Sequence, residues 1–409
     1  MAGGVSRLVE VDAAIVGAGP SGSAAAIALR RRGLSAAVVE KASFPRHKMC
    51  GDFLTPGAVG LLRELAPGTV EALGPRPLAG MRITHERAII EARFPEGRGG
   101  WALSRRDLDD ALARCAEAAG ALMVRPAVVR RARRDASGLW DVQADRPDGS
   151  RVTVRARLLV EAGGRHGVLG RRLGWRREDP ALRRYALWSH MEGVRGLEDR
   201  GEMHVVAGGY VGVSGFDPSL GVANVTMVIV PDRMARARSD PRGYFLDALS
   251  RHPLLARRCR DARFLQPLRG IGPMACRAPR LAGGGLAMVG DAGGFIDPFT
   301  GEGVFVALAS ARLLDEEVGE ALRRGLPLEA PLARYNRRHK EAFRSKFLLC
   351  RLLQRVIAHP FLARRVTRAL ASSPELADRM VGATGGLLPA GSVLSPAFLA
   401  RLLAAGMSA

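Results

Sequence analysis

The stretch from Val11 to Glu40, VDAAIVGAGPSGSAAAIALRRRGLSAAVVE, constrains this chain more than any other. A short apolar run, Ala13 to Val16, meets Gly17-Ala18-Gly19-Pro20-Ser21-Gly22, and an alanine-rich helical segment follows. A second apolar run, Ala36 to Val39, ends on Glu40. Strand, tight turn, helix and strand in that order make a dinucleotide-binding unit. Gly17 permits the turn, Gly19 lets the backbone approach a pyrophosphate, and Gly22 lets helix and strand pack closely. Pro20 and Ser21 open the helix, whose free N–H groups and positive dipole end face the phosphates. Glu40 falls where a ribose hydroxyl is met.

The rest of the chain is long enough, and at 47% hydrophobic residues apolar enough, to bury a large core in two domains. Its net charge is +22, carried almost entirely by arginine, since only Lys41, Lys48, Lys340 and Lys346 are lysines. Such a balance reflects either an arginine-favouring genome or attraction to nucleic acid, anionic lipid, or an anionic substrate or carrier. No nucleic-acid module accompanies it and aromatic residues are only 5%, so nucleic acid is not expected. The five cysteines, at 50, 115, 259, 276 and 350, show no paired spacing, so neither a disulfide framework nor a metal site is expected. A reducing cytoplasmic setting fits. No signal pattern or run of about 18 apolar residues is present.

After Glu40, Lys41 to Pro56 (KASFPRHKMCGDFLTP) reads as a loop leaving the ligand-binding end of the second strand. A helix is expected from Gly57 to Leu65, a hairpin from Met81 to Phe94, and a helix capped by Ser104 and running to about Ala119. Strands at Ala127 to Arg134, Leu139 to Ala144 and Arg151 to Arg155 read as a meander laid over the sheet. A separate buried strand, Leu158 to Val160, leads into Glu161-Ala162-Gly163-Gly164. From Tyr185 to Gln266 the pattern is β-rich, a second sheet inserted as a wall over the cofactor. The strand Leu286 to Asp291 returns to the first domain and runs into AGGFIDPFTGEG, and a helix follows from Val304 to Val318.

The tail from Arg334 onward is helical and basic. Its Phe347-Leu348-Leu349 and Leu352-Leu353 lie among Arg344, Lys346, Arg351 and Arg355, as core packing or as a membrane-surface or partner face. The fold class is therefore α/β: a Rossmann-type domain (1–70, 101–180 and 276–330), an inserted antiparallel β-sheet substrate domain (71–100 and 181–275) and a helical C-terminal region (331–409).

Two glycine-rich strand-to-helix turns, near opposite ends of the chain, argue for a long cofactor. The first grips the pyrophosphate, and Asp291 in the second is placed for the sugar-alcohol chain of a flavin. The helix starting at Gly301 to Gly303 aims its positive end at the ring, whose reduced form carries negative charge. With Glu40, the FPRHKMCGDFLTP loop, Arg105 in SRRDLD and GDAGGFIDPFTGEG (Gly290 to Gly303), these segments resemble the geranylgeranyl reductase family, within the para-hydroxybenzoate-hydroxylase-like flavoenzymes. The resemblance implies FAD, reduced by NAD(P)H or another donor that visits the flavin without a domain of its own. It implies cofactor contacts from Lys41, Arg46, Cys50, Gly51, Arg105, Val128 or Val129, Gly163, Gly290, Asp291, Pro298, Gly301 and Gly303, besides the first turn and Glu40.

Three departures bear on the reaction. Prenyl reductases border the substrate tunnel with Tyr-x-Trp-x-Phe-Pro; here Tyr210-Val211-Gly212-Val213-Ser214-Gly215 keeps the tyrosine and loses the bulk, leaving room for a wider substrate. The turn Ala162-Gly163-Gly164-Arg165-His166-Gly167 lacks the carboxylate of the related Ala-Asp-Gly-x-x-Ser pattern. The Phe295-Ile296-Asp297-Pro298 run also resembles flavin halogenases, which need a tunnel lysine and a Trp-x-Trp-x-Ile-Pro segment, and this chain has no such segment. Cys50 and Tyr210 are the candidate catalytic residues. A thiol beside Arg46, His47 and Lys48 could have a lowered pKa, or donate a proton to a reduced double bond, or be a small buried hydrophobe. His47 and Lys48 fit phosphate or structural contacts, and His166 and His190 fit structural ones. The expected reaction is carbon–carbon double-bond reduction of a lipophilic prenyl or polyketide-like molecule, with hydroxylation of an aromatic or polyketide-like molecule second and halogenation third. Membrane or carrier contact would use the basic tail.

Overall fold

The computed structural model describes residues 6–408. Strand β1 (Ser6–Val16) enters the core between parallel neighbours, which is why Ala13, Ala14 and Ile15 are wholly buried. It leads through the glycine turn into helix α1 (Pro20–Arg31) and strand β2 (Ala36–Val39). Small residues Ala24, Ala25 and Ala26 bring α1 close to its neighbours. Gly22 is the tightest point: a Cβ there would fall 1.8 Å from the Gly17 carbonyl oxygen, so this crossing admits only glycine.

Helix α2 (Pro56–Leu65) follows the loop, with the Thr55 hydroxyl accepting from the Ala58 N–H as its cap. Strands β3 (Gly80–His85) and β4 (Ala88–Arg93) form the expected hairpin. Helix α3 (Arg105–Ala118) begins at its Ser104 cap, and strand β5 (Leu122–Val124) pairs parallel with β2.

Strands β6 (Val128–Arg134), β7 (Trp140–Asp145) and β8 (Arg151–Glu161) correct the sequence reading. The two expected segments, 151–155 and 158–160, are one strand paired with β1 along its length. The opposite edge of β8 is divided: its first half pairs with β7, and its end pairs with the returning strand Leu286–Met288. The meander therefore extends the nucleotide sheet itself instead of lying over it. Arg155 and Arg157 interrupt the apolar pattern, and both point their charge outward to Asp141 and to the Leu322 and Leu326 carbonyls.

The inserted sheet contains β9 (Tyr185–Glu192), β10 (Arg200–Val206), β11 (Gly209–Asp217) and β12 (Val222–Ile229). In space the order is β9, β12, β11, β10, β3, β4, and the β10–β3 pair is parallel. The sheet is thus mixed where an antiparallel one was expected. Residues 234–258, read as part of a β-rich region, form three short helices that cover one face of this sheet with Phe245, Leu249 and Leu255. Pro241 and Pro253 each start a helix here, a use of proline that a strand reading overlooks.

The chain then returns to the nucleotide sheet and enters α4 (Gly303–Leu314). The tail folds as α5 (Glu329–Ala358), α6 (Pro360–Ala371), α7 (Pro374–Thr384) and α8 (Pro396–Ser408). One face of α5, α6 and α7 packs with Ile90, Ala92 and Phe94 of the hairpin, so the tail is integral to the core.

Candidate functional site

A cavity of about 760 Å³ runs from the first glycine turn, past the Lys41–Pro56 loop, to a chamber between the inserted sheet and the tail helices. The predicted residues converge on it. Gly17, Gly19, Pro20, Ser21, Glu40, Lys41, Arg46, Cys50, Gly51, Arg105, Val128, Gly163, Tyr210, Asp291, Pro298, Gly301 and Gly303 all line it. Gly22 and Gly290 do not. Gly22 serves packing, and Gly290 turns the backbone at φ +59° beside Ser21.

The first turn is built for an anion. Gly17 has φ +102°, and a Cβ there would lie 2.6 Å from the Ala162 carbonyl oxygen. Gly19, at the N-cap of α1, supplies no side-chain cap, so the helix N-terminus opens on the cavity. Two guanidinium groups, of Arg46 and Arg105, come to this point: a Cβ on Gly19 would be 4.0 Å from each. Arg105 holds Asp109 through two bonds of 2.7 and 3.0 Å, and Arg46 reaches the same carboxylate at 3.0 Å. Glu40 is buried at the end of β2, where its carboxylate accepts from the Ala18 and Ala42 N–H groups.

Further in, positive charge crowds. Burial, with Arg105, Arg165 and Arg46 nearby, pulls the Lys48 ammonium down to about 8. Burial, with Lys48 and Arg165, pulls His166 down to about 4. Arg165 is 3.9 Å from Asp291, whose carboxyl is raised by burial against the pull of these cations. Bases with depressed pKa values around an open helix N-terminus are the electrostatics of a site that takes a polyanion. The turn after β8, which lacks the expected aspartate, is held by Glu161 instead: its carboxylate accepts from the Gly163 and Leu169 N–H groups.

Cys50 sits at mid-cavity. Burial first, and Asp52 second, push its thiol up, so the lowered pKa entertained from the flanking basic residues is wrong; the group stays a neutral thiol. Its loop is pinned by Asp52, a buried residue at φ +53°. The Asp52 carboxylate accepts from the Arg105 N–H at 3.0 Å, from Asn224 Nδ2 at 2.7 Å, and bonds His190 Nε2 at 2.7 Å. Asn224 Nδ2 also donates to the Cys50 carbonyl at 2.8 Å. His190 therefore joins the inserted sheet to the cofactor loop.

Tyr210 borders the chamber, and its hydroxyl donates to buried Asp297. Burial raises the Asp297 carboxyl to about 6, and raises the Tyr210 hydroxyl well above its ordinary value. The room expected at the lost bulky positions is partly refilled. Met203 stands 3.4 Å from a Cβ on Gly212, and the Arg76 guanidinium occupies the space at Gly215 while donating to its carbonyl. The chamber opens instead toward Met203, Val205, Val356, Ile357, Val366 and Met380, and four of these six come from the tail. Sequence reasoning missed them. The signal was the Leu353, Val356, Ile357 spacing, one apolar face of a helix.

The matches to known proteins agree with this geometry. A model described as an FAD binding domain matches residues 10–344. The chain belongs to the geranylgeranyl-reductase-like FAD-dependent oxidoreductases. It is 32% identical to a menaquinone reductase of Mycobacterium tuberculosis over 324 residues, 75% of this chain and 76% of that one. It is 31% identical to digeranylgeranylglycerophospholipid reductase 2 of Methanopyrus kandleri over 359 residues, 83% and 84% of the two chains. A flavin-dependent halogenase of Armillaria mellea is 25% identical over 83% of this chain and 73% of its own. Among solved structures, a flavoprotein/dehydrogenase from Cytophaga hutchinsonii superposes with a TM-score of 0.83 at 21% identity, over 98% of this chain and 100% of that one. A flavin-dependent brominase superposes at 0.79 with 23% identity, over 92% and 94%.

The site fits FAD. The open α1 N-terminus with Arg46 and Arg105 suits a pyrophosphate, and Glu40 suits a ribose. At the far end, α4 also starts without a side-chain cap, because Glu302 at its N-cap is turned away to Lys346 of α5. That ion pair and the Arg351–Asp179 pair at 3.1 Å tie the tail to the cofactor domain.

Proposed function

We propose that this flavoenzyme reduces carbon–carbon double bonds of a lipophilic, prenyl-bearing or polyketide-like molecule, with NAD(P)H as electron donor. The observation that carries the reading is the cavity's division: a cationic half beside the glycine turn, and a chamber walled by methionine, valine, leucine and isoleucine. The names of the two reductase relatives point the same way, since both act on lipids.

In this reading bound FAD, once reduced by NAD(P)H, would supply hydride for one carbon of the double bond. The chain supplies the rest. Arg46, Arg105 and the α1 N-terminus hold the pyrophosphate, Glu40 the ribose, and Asp291 the sugar-alcohol chain. The neutral Cys50 thiol is the proton source for the second carbon, and the Asp52–Asn224–His190 contacts hold its loop against the inserted sheet. Tyr210, locked by Asp297, and the tail helices exclude water from the chamber. Among the described residues the apolar chamber carries no lysine; Lys41 and Lys48 both belong to the cofactor loop. Halogenation, which the resemblance ties to a tunnel lysine, therefore lacks its residue.

The test is product mass. Holoprotein with NADPH and a geranylgeranyl lipid under nitrogen is expected to yield lipid heavier by two hydrogens per double bond. Product that appears only in air, heavier by one oxygen, would move the assignment to the hydroxylase.

A further inference from the structure

The tail helices line the chamber with one face; the outward face of α5 and of the start of α6 stays exposed, while α8 packs on the later part of α6. From 342 to 374 the chain carries seven arginines and lysines and neither aspartate nor glutamate. This acid-free segment spans most of α5, the turn at His359-Pro360 and all of α6. Its outer face is also apolar. Leu348 and Leu352, one turn apart, are 47% and 36% exposed; at the α5–α6 corner Phe361 is 69% exposed and Leu362 42%. Arg344, Arg355 and Arg368 are exposed beside them, and none makes an ion pair among the described residues. Around Phe361, the most exposed large apolar side chain among the described residues, a phenyl ring and a leucine thus project from a helix corner flanked by guanidinium groups, of which Arg364 is paired with Glu86 of the hairpin. Aromatic and aliphatic tips set in a ring of arginines match a bilayer interface, where the tips enter the acyl boundary and the cations meet anionic headgroups.

We propose that the α5–α6 corner seats this protein on the surface of an anionic lipid bilayer. The proposal rests on the lipid-substrate reading above, and it explains why the same helices do both tasks. Val356 and Ile357 line the chamber within five residues of the exposed Leu352 and Arg355, and Ala363 and Val366 do so within five residues of Phe361 and Leu362. A lipid leaving the bilayer at this corner would meet the same helices that wall the chamber. No helix among the described residues is long and apolar enough to span a membrane, so the contact is peripheral.

The experiment is co-sedimentation of holoprotein with vesicles of phosphatidylglycerol and phosphatidylcholine, and with phosphatidylcholine alone, without substrate. The wild type is expected to sediment with the anionic vesicles, with affinity falling steeply as salt rises. Phe361→Asp/Leu362→Asp and, separately, Arg355→Glu/Arg368→Glu are each expected to bind at least about tenfold more weakly. Both variants keep the flavin spectrum, since none of these residues lines the cavity. Absence of wild-type sedimentation, or undiminished binding by the Phe361→Asp/Leu362→Asp variant, would overturn the proposal. So would capture by an immobilised acyl carrier protein but not by vesicles. Because no turnover is measured, a protein that binds vesicles yet reduces no lipid would refute the chemistry and leave the surface standing.

Discussion

Replacing Gly17 with alanine tests the cofactor turn at its tightest constraint. The residue has φ +102°, a conformation that costs an L-residue about 1–3 kcal/mol. The new methyl would also meet the Ala162 carbonyl oxygen at 2.6 Å and its carbon at 2.9 Å. Both are backbone atoms at the end of β8 and cannot rotate away, so overpacking adds about 1–3 kcal/mol. The sum, about 2–6 kcal/mol, either unfolds the turn or shifts the α1 N-terminus off the phosphates. At about 1.4 kcal/mol per tenfold, even the lower figure predicts FAD affinity falling by about thirtyfold. The assay is titration of apoprotein with FAD by quenching of flavin fluorescence, with thermal unfolding alongside. Gly60→Ala is the control. Gly60 lies within α2, with nothing within 4 Å of its absent Cβ, so alanine there is expected to stabilise by about 0.5–1 kcal/mol with unchanged FAD affinity. A Gly17→Ala protein with wild-type FAD affinity and melting temperature would refute the reasoning.

Cys50→Ala is expected to slow lipid reduction about a hundredfold while NADPH still reduces the flavin at the normal rate, and Cys50→Ser to restore part of the loss; rapid-mixing absorbance separates the two half-reactions. Asp297, raised by burial from 3.8 to about 6, favours the folded state when protonated, so its contribution is complete below about pH 4 and is lost as pH rises through 6. Urea unfolding should show Asp297→Asn free of that decline, a difference of about 3 kcal/mol across the window; parallel profiles would contradict it. A Cβ on Gly212 meets nothing nearer than the flexible Met203 side chain at 3.4 Å, so Gly212→Trp is expected to fold, to bind FAD and to raise KM for branched substrates more than for linear ones.

The cofactor half of this site was legible because its constraints are local. Gly17 and Gly22 are demanded by backbone approach within one βαβ unit, and Glu40 by its place at the end of β2. The same holds for Ser104 and Thr55, whose hydroxyls cap helices two or three residues on. What the sequence hid is set by distant contacts. Strand β8 reads as two pieces because Arg155 and Arg157 break its apolar run, and only its pairing with β1 makes it one. The Cys50 loop looked activating because Arg46, His47 and Lys48 are its neighbours in sequence. In space the nearer influences are burial and Asp52, which is held by His190 and Asn224 from strands more than a hundred residues away. The space at Gly212 and Gly215 depended likewise on Met203 and Arg76, and the substrate chamber on a tail that the motifs do not reach.

The central claim is that electrons pass from flavin to a lipid double bond without oxygen. The direct measurement is the flavin absorbance of fully reduced holoprotein mixed anaerobically with a geranylgeranyl lipid in detergent. The account predicts return of the oxidised flavin band in a single exponential whose rate rises with lipid concentration, and one double bond lost per flavin reoxidised. Flavin that stays reduced with lipid until oxygen is admitted would contradict it.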